Sequence, residues 1–206
     1  MAQVGLNRTK EILFLPGVAG DGRFWAGVGE RLPDRWQKTY LSWPGLGNQP
    51  HDPNVRSLKD LLKRAERALQ RPTFLVAQSM AGIIAIQLAL KYPDRVTGLV
   101  LAATSGGLDV SALGATDWRP DFLEAYPQTA RWILTEKPDL SESIPCLNIP
   151  TLLLWGEQDP ISPPTVGQYL ARHIAGARLI VIPGGRHTLA WDLPDIVAPL
   201  ILEHLT

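Results

Sequence analysis

Thr73-Phe-Leu-Val-Ala-Gln-Ser-Met-Ala-Gly82, followed by Ile83-Ile-Ala-Ile-Gln-Leu-Ala-Leu-Lys91, contains the sharpest change of pattern in the chain. Thr73–Ala77 is apolar on nearly every residue, the mark of a strand buried on both faces. Met80–Lys91 is apolar on most sides and stops before Tyr92-Pro93, which predicts a helix packed against a sheet. Only Gln78 and Ser79 separate the two. A buried strand running straight into a buried helix is the repeating unit of a parallel sheet covered by helices.

The same alternation extends in both directions. Glu11–Leu15 is a short apolar run that stops at Pro16-Gly17, and the weaker Lys38–Trp43 stops at Pro44-Gly45. Further on, Leu99–Ala103, Thr151–Trp155 and Leu179–Ile182 each end at glycine or serine-rich turns. Between them lie helical patterns. Ser57-Leu-Lys-Asp60 resembles a capping box and opens a segment with Leu58, Leu61, Leu62, Ala65 and Leu69 at helical spacing. Ser162-Pro163-Pro164 opens another, and a last helix starts near Leu193. Right-handed crossovers then give an α/β fold: a doubly wound, mostly parallel sheet of about six strands with helices on both faces. The stretch from Gly106 to Pro150 breaks the rhythm. It holds no convincing strand, and Asp121–Glu136 reads as one helix with Phe122, Tyr126, Ala130, Ile133 and Leu134 on a stripe. We read about 106–148 as a short helical lid inserted into a single domain spanning 1–206.

Composition narrows the function classes. The 206 residues carry 20 Lys+Arg against 20 Asp+Glu, so no basic footprint for nucleic acid or an anionic membrane exists. The opening Met1–Lys10 has no apolar signal-peptide core, and no apolar stretch approaches the ~20 residues that cross a bilayer. Cys146 is the only cysteine, which excludes an intrachain disulfide and a multi-thiolate metal site. These features predict a cytoplasmic protein with no membrane span.

Four local signals carry chemistry. Ala77-Gln78-Ser79-Met80-Ala81 has the context of a nucleophile elbow, G-x-S-x-G with alanine in both glycine places. The turn is cramped, so its neighbours must be small, and it lifts the hydroxyl above the sheet edge at a helix N-terminus. Ser79 serving merely as a helix N-cap is the alternative. Leu15-Pro16-Gly17-Val18-Ala19-Gly20-Asp21-Gly22 is a glycine-rich turn after the first strand. Its Val18 N–H could pair with that of Met80 to hold an oxyanion. The spacing is GxxGxG rather than GxGxxG, with no Lys-Ser/Thr after it, which disfavours nucleotide binding. Asp159 follows a buried strand and is placed to orient a histidine, with Glu157 or Asp109 as alternatives. Of four histidines, only His187 follows a strand with flexible glycines beside it, as a general base requires. His173 and His204 lie in predicted helices, and His51 lies in a Pro/Asp-rich loop.

The order Ser79…Asp159…His187, with each residue at the carboxyl end of a predicted strand, resembles the α/β-hydrolase superfamily, especially compact bacterial esterases. The resemblance covers most of the chain. Leu41-Ser42-Trp43-Pro44-Gly45-Leu46-Gly47 is similar to the family's loop after its next strand, and Tyr92-Pro93-Asp94-Arg95-Val96 to the segment leading into Leu99-Val100-Leu101. Pro150 stands where the family's pre-acid strand opens. Pro16 replaces a histidine common in the family, and the short length implies that the usual first two strands are missing.

The resemblance implies a serine hydrolase that cleaves a carboxylic ester or thioester through a Ser-His-Asp triad and an acyl-enzyme intermediate. A lactonase or lyase of the same fold, or a binding protein without catalysis, stays open at this point. Trp25, Trp43, Trp118 and Tyr126 are candidates to line an apolar acyl pocket, against core packing for any one of them. Neither a metal nor an organic cofactor is implied, and the expected partner is a small ester or thioester substrate. Oligomeric state is not legible.

Overall fold

A computed structural model describes residues 9–206. Of the opening segment read above for a signal peptide, all but Thr9 and Lys10 lies outside the described residues, as does the start of the 1–206 domain span.

Six strands form one sheet: β1 (Glu11–Leu15), β2 (Gln37–Tyr40), β3 (Thr73–Gln78), β4 (Val96–Ala102), β5 (Thr151–Gly156) and β6 (Arg178–Ile182). Their order is β2-β1-β3-β4-β5-β6 and every neighbouring pair is parallel. From β1, which lies next to the edge, the chain steps out to β2, then crosses back over β1 to β3 and winds out to β6. Among the described residues there are seven α-helices, α1 (Ala26–Glu30), α2 (Leu58–Ala68), α3 (Ala81–Lys91), α4 (Arg119–Ala125), α5 (Pro164–His173), α6 (Leu189–Asp192) and α7 (Pro194–Leu205), together with short 3-10 turns.

The two-residue period of the strands sorts their side chains into two cores. Leu13, Leu15, Leu75, Ala77, Leu99, Leu101, Leu153 and Trp155 face α2, α3 and α5. The alternate residues Ile12, Phe14, Val76, Val100, Ala102, Leu152 and Leu154 face α1, α6 and α7. Burial on both sides explains why β3 and β5 read as unbroken apolar runs. The sheet edge does not: β2 is largely exposed, and its sequence, Gln-Lys-Thr-Tyr, carries little apolar signal.

The expected helix over Asp121–Glu136 is not formed as one element. α4 ends at Ala125, Tyr126 leaves the helical region at φ −132° and ψ 67°, and a separate 3-10 turn covers Arg131–Leu134. Pro127 supplies the reason, because the residue before a proline is driven out of the helical region. No strand occurs between Ala102 and Thr151 among the described residues. Two backbone hydrogen bonds tie this excursion to the body, Ala130 N–H to the Gly45 carbonyl (2.7 Å) and Thr116 N–H to Pro160 (2.8 Å), while Leu140 N–H to Gly107 (2.9 Å) closes it on itself.

The capping box at Ser57 takes a different form from the one expected. Ser57 Oγ donates to the Asp60 carboxylate (2.8 Å), and no side chain of the segment itself caps the first helical N–H groups. Glu136, from the excursion, fills that role by accepting from Leu58 N–H at 3.1 Å. A carboxylate at a helix N-terminus is favoured by both the free N–H groups and the helix dipole.

At the far end of the chain, the imidazole Nε2 of His204 lies 3.0 Å from the Leu99 carbonyl, joining α7 to β4. Burial holds the His204 pKa below its usual 6.5. Hydrogen bonds to the Leu99 and Pro150 carbonyls and the charge of Glu203 oppose that shift, while Arg178 adds to it. The unfolded chain therefore binds a proton here more readily than the folded one. His204 contributes full stability above the unfolded value, and the contribution is lost as pH falls from there towards the lower folded value. Urea midpoints at pH 8 and pH 5.5 should fall further apart in the wild type than in His204→Gln; equal spacing would contradict this account.

Among the described residues, no helix is long and apolar enough to cross a membrane.

Candidate active site

β3 carries the chain into the sheet's carboxyl edge, and Ser79 must turn it at once into α3. Ser79 adopts φ 53°, in the left-handed region that only a few non-glycine residues occupy. Such a conformation costs about 1–3 kcal/mol and persists where the surroundings fix it. Here Ser79 N–H donates to the Ala102 carbonyl (2.9 Å), while Gly82 N–H and Ile83 N–H close the first turn onto Ser79 and Met80. The small neighbours are required by contact. Ala77 and Ala81 are fully buried, and a Cβ at Gly82 would collide with Thr104, itself buried.

Asp159 follows β5. Its side chain has no exposed surface, and its Oδ1 accepts from Ile161 N–H (2.9 Å) and Ser162 N–H (3.0 Å). That leaves Oδ2 facing His187, whose Nδ1 lies 2.8 Å away. His187 stands in the loop between β6 and α6, with its Nε2 3.0 Å from Ser79 Oγ. Thus three residues 28 and 108 positions apart in sequence form a continuous chain of hydrogen-bonding contacts. The other carboxylates considered are engaged elsewhere. Glu157 accepts from Gly184 N–H at 3.0 Å, and Asp109 accepts from Ser111 N–H and Oγ.

The remaining histidines do not join the cluster. His173 is exposed, its Nδ1 2.8 Å from the Tyr169 carbonyl and its ring stacked on that residue. His204 binds the sheet, as described. His51 does not line the cavity above Ser79.

That cavity has a volume of about 510 Å³. Ser79 and His187 line it together with Val18, Met80, Ile161 and Trp118. Among the described residues, no group accepts from the backbone N–H of Val18 or of Met80. Both residues line the cavity beside Ser79.

The aromatic residues expected to line a pocket divide. Trp118 does so. Trp25 is fully buried on the opposite face of the sheet, donating from Nε1 to the Leu15 carbonyl at 3.0 Å. Trp43 is equally buried, and its Nε1 donates to the Pro16 carbonyl at 2.6 Å. Tyr126 packs on Phe122 with ring centroids 5.1 Å apart and lies outside the cavity lining. Gln78, which sequence reasoning passed over, is 5% exposed and donates from Nε2 to the His187 carbonyl at 3.2 Å. The polar side of the wall, with Asp109, Arg119, Glu136 and Lys137, was also not anticipated. Among the described residues no group of three or more His, Cys, Asp or Glu side chains is arranged to hold a metal ion.

Comparison with known proteins agrees with the geometry. A family model described as the alpha/beta hydrolase fold matches residues 10–138 and 126–194. A relative named pimeloyl-[acyl-carrier protein] methyl ester esterase from Neisseria meningitidis is 24% identical over 229 aligned residues, with 88% of each chain covered. Serine hydrolase BPHL from Mus musculus is 26% identical, covering 94% of this chain and 78% of its own. Among solved structures, an esterase from Exiguobacterium antarcticum superposes with a TM-score of 0.78 at 16% identity, covering 95% of this chain and 91% of that one. A thermophilic esterase from Thermogutta terrifontis superposes at 0.73 with 24% identity, covering 96% and 90%.

Proposed function

The chain belongs to the alpha/beta hydrolase fold family, and from that premise we propose that it hydrolyses a carboxylic ester with Ser79 as nucleophile, His187 as general base and Asp159 as the acid that orients the base. The observation that carries this reading is the run of contacts from Ser79 Oγ to His187 Nε2 (3.0 Å) and from His187 Nδ1 to Asp159 Oδ2 (2.8 Å).

In the resting state Asp159 accepts the Nδ1 hydrogen, which leaves the Nε2 lone pair towards the serine hydroxyl. His187 takes the hydroxyl proton as Ser79 attacks the carbonyl carbon. The oxyanion that forms receives hydrogen bonds from the N–H groups of Val18 and Met80, the second lying at the start of α3 where the helix dipole adds to the effect. Collapse of the tetrahedral intermediate expels the alcohol, protonated by His187, and leaves an acyl-Ser79 ester. Water then repeats the sequence with His187 as its base, releasing the acid and restoring the serine. A backbone already folded into this arrangement has no reorganisation to make when charge develops.

The excursion 106–148 serves as the lid of this site. Leu58, Ile83 and Ile133 offer the acyl group an apolar wall, and a thioester presents the same carbonyl chemistry as an ester. The relatives named as methyl ester esterases and serine hydrolases support this substrate class.

Treatment with a fluorophosphonate followed by intact-mass analysis tests the reading. One adduct per chain is expected, on Ser79, and none on Ser79→Ala. A folded wild type that stays unmodified would overturn the assignment.

A further inference from the structure

Gln78 occupies the last position of β3, one residue before the nucleophile, and its side chain has an unusual pair of neighbours. Its Nε2 donates to the carbonyl oxygen of His187 at 3.2 Å. Its Oε1 is pressed against Gly17, the residue before Val18, so closely that a Cβ at Gly17 would overlap it and lie 3.1 Å from Ser79 Cβ. One buried amide is thereby wedged between the turn that bears one proposed oxyanion donor and the loop that bears the proposed base.

The bond to His187 matters because the base loop is otherwise fixed around that residue, not at it. Gln158 N–H donates to the Gly185 carbonyl (2.8 Å), and Leu189 N–H donates to that of Arg186 (3.0 Å). Among the described residues, Gln78 alone donates to the backbone carbonyl of His187. An imidazole that exchanges a proton with both serine and leaving group needs its backbone held while its ring adjusts, and small misplacements of a catalytic group cost large factors in rate.

We propose that Gln78 is a positioning residue: its amide sets the base loop and the oxyanion turn at a fixed separation on either side of Ser79. This rests on the triad reading above. It explains a polar side chain at a buried strand end where an apolar one would pack as well, since the donor is what the position needs.

Gln78→Met keeps the length and removes the donor; Gln78→Glu keeps the shape and, ionised, presents only acceptors to the His187 carbonyl. Both are compared with the wild type and Ser79→Ala in steady-state hydrolysis of a p-nitrophenyl ester, with active sites counted by fluorophosphonate adduct mass. We expect kcat per titrated site to fall about tenfold in either variant with KM within about twofold, because geometry at the reacting atoms changes and the cavity wall does not. The adduct should still reach one per chain, at a rate reduced by a similar factor. Gln78→Glu carries the test if Gln78→Met does not fold. A folded variant whose kcat per site stays within twofold of wild type, or one that merely loses a fraction of its titratable sites, would overturn the inference while leaving the triad intact. A wild type that forms no Ser79 adduct would overturn both.

Discussion

Alanine at Ser79 or at His187 should each lower kcat by about a million-fold, and alanine at both should cost no more than the greater single loss. The two side chains share one proton, across 3.0 Å. Without the imidazole, no base takes the proton from the serine hydroxyl as it attacks. Without the hydroxyl, the imidazole has only water to activate. Either deletion thus removes the covalent route entirely, and the second deletion finds nothing left to remove. In the proposed mechanism, what survives in all three variants is the contribution of the oxyanion donors proposed at Val18 and Met80 and of binding in the cavity, about 10³–10⁴ over water in enzymes of this design. Measured with a chromogenic ester on purified single and double variants, an additive loss would mean that the residues act independently. A single variant retaining more than a hundredth of wild-type kcat would remove that residue from the chemistry. Neither substitution is expected to unfold the chain, because Ser79 is held at φ 53° by its backbone bond to Ala102 and the packing of Ala81 and Gly82, none of which uses its hydroxyl.

How much of this was legible beforehand follows from burial. The strands with apolar residues on both faces announced themselves: β1 runs over Glu11–Leu15 as read, and β3 and β5 extend only one residue further. β2 lies at the sheet edge with polar residues facing water, and its end was misjudged by three residues because Leu41 and Trp43 place further apolar side chains beyond the last paired residue, Tyr40. α1 gave no signal, since two glycines in five residues oppose a helix and packing against α6, α7 and the 3-10 turn Gly22–Trp25 sustains it. Side-chain chemistry and chain order sufficed to single out Ser79, Asp159 and His187, because each stands at a strand exit and the sheet brings all such exits to one edge. Orientation across the sheet was not legible in the same way. Trp25 and Trp43 have the right chemistry for a pocket, but the turns after β1 and β2 direct them inward. Gln78 and Glu136 are harder still. Their partners, His187 and Leu58, lie 109 and 78 residues away in the chain, and nothing local to either residue records the contact.

Asparagine at Asp159 should cut kcat by about 10⁴-fold while leaving the fold intact. The carboxylate is fully buried and has three partners: the N–H groups of Ile161 and Ser162 on Oδ1, and His187 Nδ1 on Oδ2. An asparagine keeps a carbonyl oxygen to accept from the two backbone donors, so its own orientation is decided. Its NH2 group must then face Nδ1, which has to become an acceptor. The ring proton moves to Nε2 and points at Ser79, so the base presents a donor where the reaction needs a lone pair. The same change withdraws the negative charge that stabilises the imidazolium once a proton has been taken. Alanine is a different experiment, because it leaves two buried N–H groups unpaired, a cost of about 1–3 kcal/mol each that would mix instability with lost chemistry. For Asp159→Asn, a wild-type melting temperature combined with the expected loss in kcat would locate the defect in the tautomer. Retained turnover would mean that another carboxylate orients the ring, and Glu157, now spent on Gly184 N–H, would have to leave that bond to do so.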